Sequence, residues 1–141
     1  MSCLDRQNAL EIQFLKIPDP KGRYDLIIEL GRELKKVARH DIAAPENLVP
    51  GCQSEVYLKS RLENGKVFFE IYSEALISTG LAALLFTIYQ GESPDVILTC
   101  PPDCLERIGI HASLSPGRSN GLASMHLKMK QEALSHLSKS L

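Results

Sequence analysis

Asn64-Gly65 constrains this chain more than any other pair of residues. The tightest β-hairpin turn needs positive φ at both central positions, which asparagine and glycine adopt at least cost. The flanks agree with such a turn. Val56, Leu58, Ser60 and Leu62 alternate with Glu55, Tyr57, Lys59 and Arg61, as a half-buried strand requires. A two-residue turn also fixes the register. Leu62 then faces Val67, Ser60 faces Phe69 and Leu58 faces Ile71. On the opposite face Glu63 meets Lys66, Lys59 meets Glu70, and Tyr57 lies across from Tyr72. Each such pair contributes about 0.2–1 kcal/mol. A hairpin is predicted here.

Around it the pattern is helical. Ala9, Leu10, Ile12 and Phe14 mark a short helix over residues 5–16, broken by Ile17-Pro18-Asp19-Pro20 because proline cannot donate to the helical ladder. A second helix over about 22–38 carries Tyr24, Ile27, Ile28, Gly31, Leu34 and Ala38 on one face. Leu48-Val49, between Pro45 and Pro50, is a candidate third strand. Ser73 is read as the N-cap of a long apolar helix that ends at Gly91 and Pro94. A helix so apolar must be buried on most sides, and Gly80 with Ala82 and Ala83 lets another backbone come close. Short helices are expected from Ser93 to Leu98 and from Asp103 to Ile108. Ser115-Pro116 starts the last helix, with a core stripe of Leu122, Met125, Met129, Ala133 and Leu137.

The length, 141 residues, fits one domain over 1–141 with room for a core that needs no disulfides. A formal net charge of −1 gives no argument for binding nucleic acid or an anionic membrane. Residues 75–91, the longest uncharged stretch, are fewer than the roughly 20 apolar residues of a membrane span. Four cysteines are too sparse for a disulfide scaffold, and no secretory signal is recognisable. The expected compartment is a reducing cytosol, where the thiols are available for chemistry.

Two stretches carry that chemistry. In Val49-Pro50-Gly51-Cys52-Gln53-Ser54-Glu55-Val56-Tyr57, proline and glycine suit a loop that presents Cys52 at the sheet edge. The loop by itself also allows a buried structural cysteine. In Leu114-Ser115-Pro116-Gly117-Arg118-Ser119-Asn120-Gly121, free N–H groups at a helix start favour an anion, and Arg118 adds positive charge. A capped helix with an exposed arginine is the plainer alternative. Elsewhere the signals are structural. Cys100 and Cys104, flanking Pro101-Pro102-Asp103, lack the second close pair of a zinc site and read as core residues. Cys3 reads as incidental near a frayed terminus. His40, His111, His126 and His136 have no context for a cysteine hydrolase, and His126 and His136 are expected to be solvated or capped.

Together the cysteine loop and the stretch from Leu114 to Leu122 resemble the SufE family of sulfur acceptors, which includes the CsdE proteins. The likeness runs from about Ile12 to Leu137. Glu55, Tyr57 and Gly117 depart from residues common in that family, and bear on partner preference rather than on the nucleophile. The resemblance implies an α+β fold, a small antiparallel sheet of about three strands with helices packed on it, similar to IscU scaffolds. It implies that Cys52 receives persulfide sulfur from a pyridoxal-phosphate cysteine desulfurase of the SufS or CsdA kind. Cys52 would then pass it to an iron–sulfur assembly scaffold. Gly51, Gln53, Ser54 and Arg118 would meet the partner. No cofactor or metal of this chain's own is implied, and the chain is expected as a monomer or homodimer. Two alternatives stand beside this reading: a binding module that activates a desulfurase with Cys52 structural, and an IscU-like cluster scaffold.

Overall fold

The computed structural model describes residues 2–139. The hairpin forms as its turn dictates. Strand β1 (Val56–Glu63) and strand β2 (Lys66–Ser73) pair antiparallel, with Leu62 opposite Val67, Ser60 opposite Phe69, Leu58 opposite Ile71 and Tyr57 opposite Tyr72. Asn64 and Gly65 take φ of 52° and 76°. Val56, Leu58, Val67, Phe69 and Ile71 are buried, whereas Leu62 near the tip stays exposed.

A third strand does not form among the described residues. Leu48 makes an isolated bridge to Tyr57, with the Val49 amide donating to the Val56 carbonyl at 2.8 Å. Pro50 then removes a donor, and Gly51 turns the chain away at φ 88°. The pairing ends after one step, and the sheet has two strands. The other edge is also covered. The Val67 amide donates to the Glu92 carbonyl at 2.8 Å, and the Phe69 amide to Gln90 Oε1 at 2.8 Å, which blunts β2 as a template for further pairing.

Among the described residues there are six α-helices: α1 (Cys3–Leu15), α2 (Pro20–Lys35), α3 (Leu76–Tyr89), α4 (Pro94–Thr99), α5 (Asp103–Arg107) and α6 (Pro116–Lys139), of which α3 and α6 pack on the hairpin. Helix α1 starts earlier than expected because Ser2 and Asp5 form a capping box, each side chain accepting the other's backbone N–H at 3.1 Å. Cys3 is thereby buried, not frayed. Asp19 caps α2 by accepting from the Gly22 amide at 2.9 Å, with Pro20 at the first helical position.

Ser73 is not a helix cap. It closes β2, and its hydroxyl donates to the Glu55 carbonyl at 2.8 Å, tying the hairpin to the end of the cysteine loop. Helix α3 begins three residues later and is buried on most sides. Its Gly80 lies against α2, where an added Cβ would overlap the Ile27 carbonyl oxygen. At Gly31 the reciprocal Cβ would be 2.7 Å from the Gly80 nitrogen. The two backbones touch, as the run of small residues foretold.

The histidines of α6 are not simply solvated. His136 Nε2 lies 2.8 Å from the Ser60 hydroxyl, which also donates to Glu132 at 2.8 Å. The His126 ring stacks on Tyr89, with 5.5 Å between centroids and 11° between planes. Burial, with Lys130 adding to it, lowers the His126 pKa to about 4, so its ring is neutral at physiological pH.

Candidate functional site

The cysteine loop lies on the first two turns of α6. Gly51 has φ 88° and faces Ser124, so a Cβ there would be 2.7 Å from the Ser124 hydroxyl oxygen. Positive φ and that close approach both call for glycine. Two residues on, the Gln53 side chain lies over Gly117, where a Cβ would overlap Gln53 Nε2. Between these two contacts Cys52 points at the helix. Its thiol donates to the Gly121 carbonyl at 3.7 Å, and a Cβ on Gly121 would be 3.7 Å from its sulfur.

The sequence-selected residues converge. Cys52, Gln53, Ser54 and Arg118 line one small cavity of about 50 Å³, walled by Ile77, Leu81 and Met125. Arg118 is half-buried on the first turn of α6, where its amide donates to the Ser115 hydroxyl at 3.4 Å. Ser54 also opens on a wider groove of about 570 Å³ at the hairpin base, lined by Glu55, Tyr57, Tyr72 and Glu74.

Cys52 is half-buried, and burial pushes its thiol above the ordinary value. Desolvation penalises the thiolate, and Arg118 does not offset it in this closed geometry. The arrangement therefore keeps the sulfur protonated and weakly nucleophilic while the loop lies on α6.

Sequence reasoning missed the floor of the site. Gly117, Gly121 and Ser124 are small residues spaced along one face of α6, and they make the trough in which the loop rests. The spacing Gly-x-x-x-Gly-x-x-Ser was a visible signal for close backbone approach. Leu81 and Met125 were expected as core alone, yet they also wall the cysteine cavity. The other three cysteines lie elsewhere, gathered around Gln7. Among the described residues no group of three or more His, Cys, Asp or Glu side chains is placed to hold a metal ion. Among them, too, no helix is long and apolar enough to cross a membrane.

The fold and this loop-on-helix site define a small α+β protein with one cysteine sheltered at the edge of a hairpin. Residues 8–133 match the family model of the Fe–S metabolism associated domain, SufE, so the chain belongs to the SufE family. It is 35% identical over 122 residues to an uncharacterized SufE-like protein of Synechocystis, covering 86% of this chain and 76% of that one. A SufE-like protein of Rhizobium etli is 36% identical over 125 residues, covering 85% and 84%. SufE-like protein 1 of Arabidopsis thaliana, named chloroplastic/mitochondrial, is 34% identical over 125 residues. That match covers 88% of this chain and only 33% of the plant protein. The fold is shared with a hypothetical protein from Thermus thermophilus, solved in solution, at a TM-score of 0.75 and 22% identity over 94% of this chain and 96% of the other.

Proposed function

We propose that this chain is a sulfur acceptor for a pyridoxal-phosphate cysteine desulfurase, with Cys52 as the acceptor atom. The observation that carries the reading is Cys52 itself, held in a partly buried loop beside Arg118 in a chain of the SufE family. In the transfer, Cys52 loses its proton and attacks the outer sulfur of the partner's persulfide. The partner's S–S bond breaks, its inner sulfur leaves as thiolate and takes up a proton, and Cys52 becomes a persulfide. One S–S bond replaces another, so no external oxidant or reductant is consumed. Delivery to an iron–sulfur assembly scaffold repeats the exchange with Cys52 as the donor.

The closed geometry suits storage rather than attack. Delivery requires the loop to leave the trough on α6, giving up the contacts of Gly51 with Ser124 and of Gln53 with Gly117. A docked desulfurase supplies the differential contacts that favour the open state. Arg118, freed from the loop, is placed to meet the partner's acidic groups or the developing thiolate. Thiols and oxidants in solution both attack a persulfide, so the shelter on α6 protects it in the cytosol, the compartment of this reading.

The test is a desulfurase assay with cysteine as substrate, with and without this chain. Cys52→Ser is expected to abolish stimulated sulfide release while the fold is retained, because the change is nearly isosteric on a loop. Stimulation that survives Cys52→Ser would leave an activating binding module, with Cys52 structural, as the better account.

A further inference from the structure

Three of the four cysteines take no part in the site above, and two of them touch. Cys3 opens α1 and is buried, whereas Cys100, the residue that ends α4, is half-buried. The Cys100 thiol donates to the Cys3 sulfur across 2.7 Å. Gln7 holds this arrangement from one side. Its Nε2 lies 3.6 Å from the Cys3 sulfur, 3.4 Å from the Cys100 sulfur and 3.1 Å from the Pro101 carbonyl oxygen. Its Oε1 accepts from the Cys104 amide at 3.0 Å. A buried glutamine with both ends engaged has little freedom, so the two sulfurs are held together by the fold and not by chance rotamers. On the far side the Tyr89 hydroxyl donates to the Cys100 carbonyl at 2.6 Å and fixes that backbone.

We infer that Cys3 and Cys100 are a site of reversible disulfide formation, which ties α1 to the connection between α4 and α5. The oxidant is a hydroperoxide. Cys100, the less buried partner, meets it first: its sulfur attacks the peroxide, the O–O bond breaks, and a sulfenic acid and an alcohol or water result. The Cys3 sulfur then attacks the sulfenic sulfur, the S–S bond forms, and the hydroxyl departs with the Cys3 proton as water. Two thiols lose two protons and two electrons, and the peroxide is reduced by two electrons. Burial and the neighbouring Cys100 thiol push the Cys3 thiol up to about 12. That makes Cys3 a poor first reactant, and in the second step its fixed position 2.7 Å from the Cys100 sulfur makes up for its weak nucleophilicity.

The two cysteines stand 97 positions apart in the chain, so the bond closes a very long loop and restricts the unfolded state strongly. The expected readout is a rise in melting midpoint of roughly 5–15 °C. Cys52 is no part of this bond, since it rests on α6 against Gly121.

The experiment treats the reduced full chain with hydrogen peroxide, blocks free thiols by alkylation, and maps peptides without reductant. A peptide joining Cys3 to Cys100 is expected, with a raised melting midpoint that dithiothreitol returns to its starting value. Cys104→Ser should keep both effects and Cys100→Ser should lose both. Cys100 is only partly buried, so that variant keeps the fold even if replacement of buried Cys3 does not. Separately alkylated Cys3 and Cys100, a bond from Cys104 instead, or a linked peptide that forms only in denaturant would each overturn the inference.

Discussion

Gly117→Ala is the most direct test of whether the cysteine loop is latched. In the closed geometry the new methyl would overlap Gln53 Nε2 and Cδ and sit 3.0 Å from Cγ. No Cβ tolerates such contacts, so the Gln53 side chain must leave. It is the end of a flexible chain, and the fold survives its departure. Overpacking of this kind costs about 1–2 kcal/mol, borne by the closed loop alone. The change also replaces a helical glycine, which returns up to about 1 kcal/mol of helix propensity in both loop states. Global stability should therefore change little, whereas the open fraction of the loop rises roughly 5- to 30-fold. The assay is the alkylation rate at Cys52 with a bulky reagent, followed on the Cys52 peptide, alongside the melting midpoint. A rate roughly 5- to 30-fold faster is expected, with a midpoint within about 3 °C. In a Gln53→Ala background the same substitution should add nothing, because the clashing group is gone. An unchanged rate in Gly117→Ala would refute the latch.

Arg118→Ala is expected to lower sulfur acceptance about ten-fold or more, the scale of a lost charge-assisted contact, with the melting midpoint nearly unchanged. Measuring transfer and melting on the same preparation separates a docking role from a structural one, since a large loss of stability with normal transfer would make the arginine structural. The pH dependence of the loop follows from burial, which holds the Cys52 thiol above its ordinary value in the closed state. The closed state thus binds the proton more tightly than the open one. Its advantage is complete below the ordinary thiol pKa and is lost as pH rises through the raised one. Alkylation of the free chain should keep accelerating above the pH at which a fully exposed thiol levels off, and a profile identical to that of a small free thiol would contradict the sheltering.

The hairpin was legible to the residue because its turn chemistry and its side-chain alternation are both local. Asn64-Gly65 allows one loop, and one loop allows one register. Helix starts were less legible where the cap competed with another reading. Ser73 looks like an N-cap, yet the hydroxyl is better used on the Glu55 carbonyl, which pins the hairpin to the cysteine loop. Cys3 looked like a residue of a loose end because the Ser2–Asp5 capping box went unread. The third strand failed for a reason the sequence does contain: two prolines bracket Leu48-Val49 and leave room for a single bridge.

The site divides along the same line. That two motifs far apart in the chain, one with Cys52 and one with Arg118, would line one cavity was legible, because each is a short pattern with its own chemistry. How they act together was not, because it depends on a trough formed by Gly117, Gly121 and Ser124 and on a glutamine that fills it. Arg118 next to a cysteine invites the inference of a lowered thiol pKa. In the folded chain burial dominates and the thiol moves up. The two facts are compatible once the loop is allowed two positions. While it is closed, desolvation keeps the sulfur protonated and inert. In the proposed open position the same sulfur would be hydrated and Arg118 would face the partner. The physical cause of protection, removal from water, would then be undone by the same movement that the proposed delivery requires.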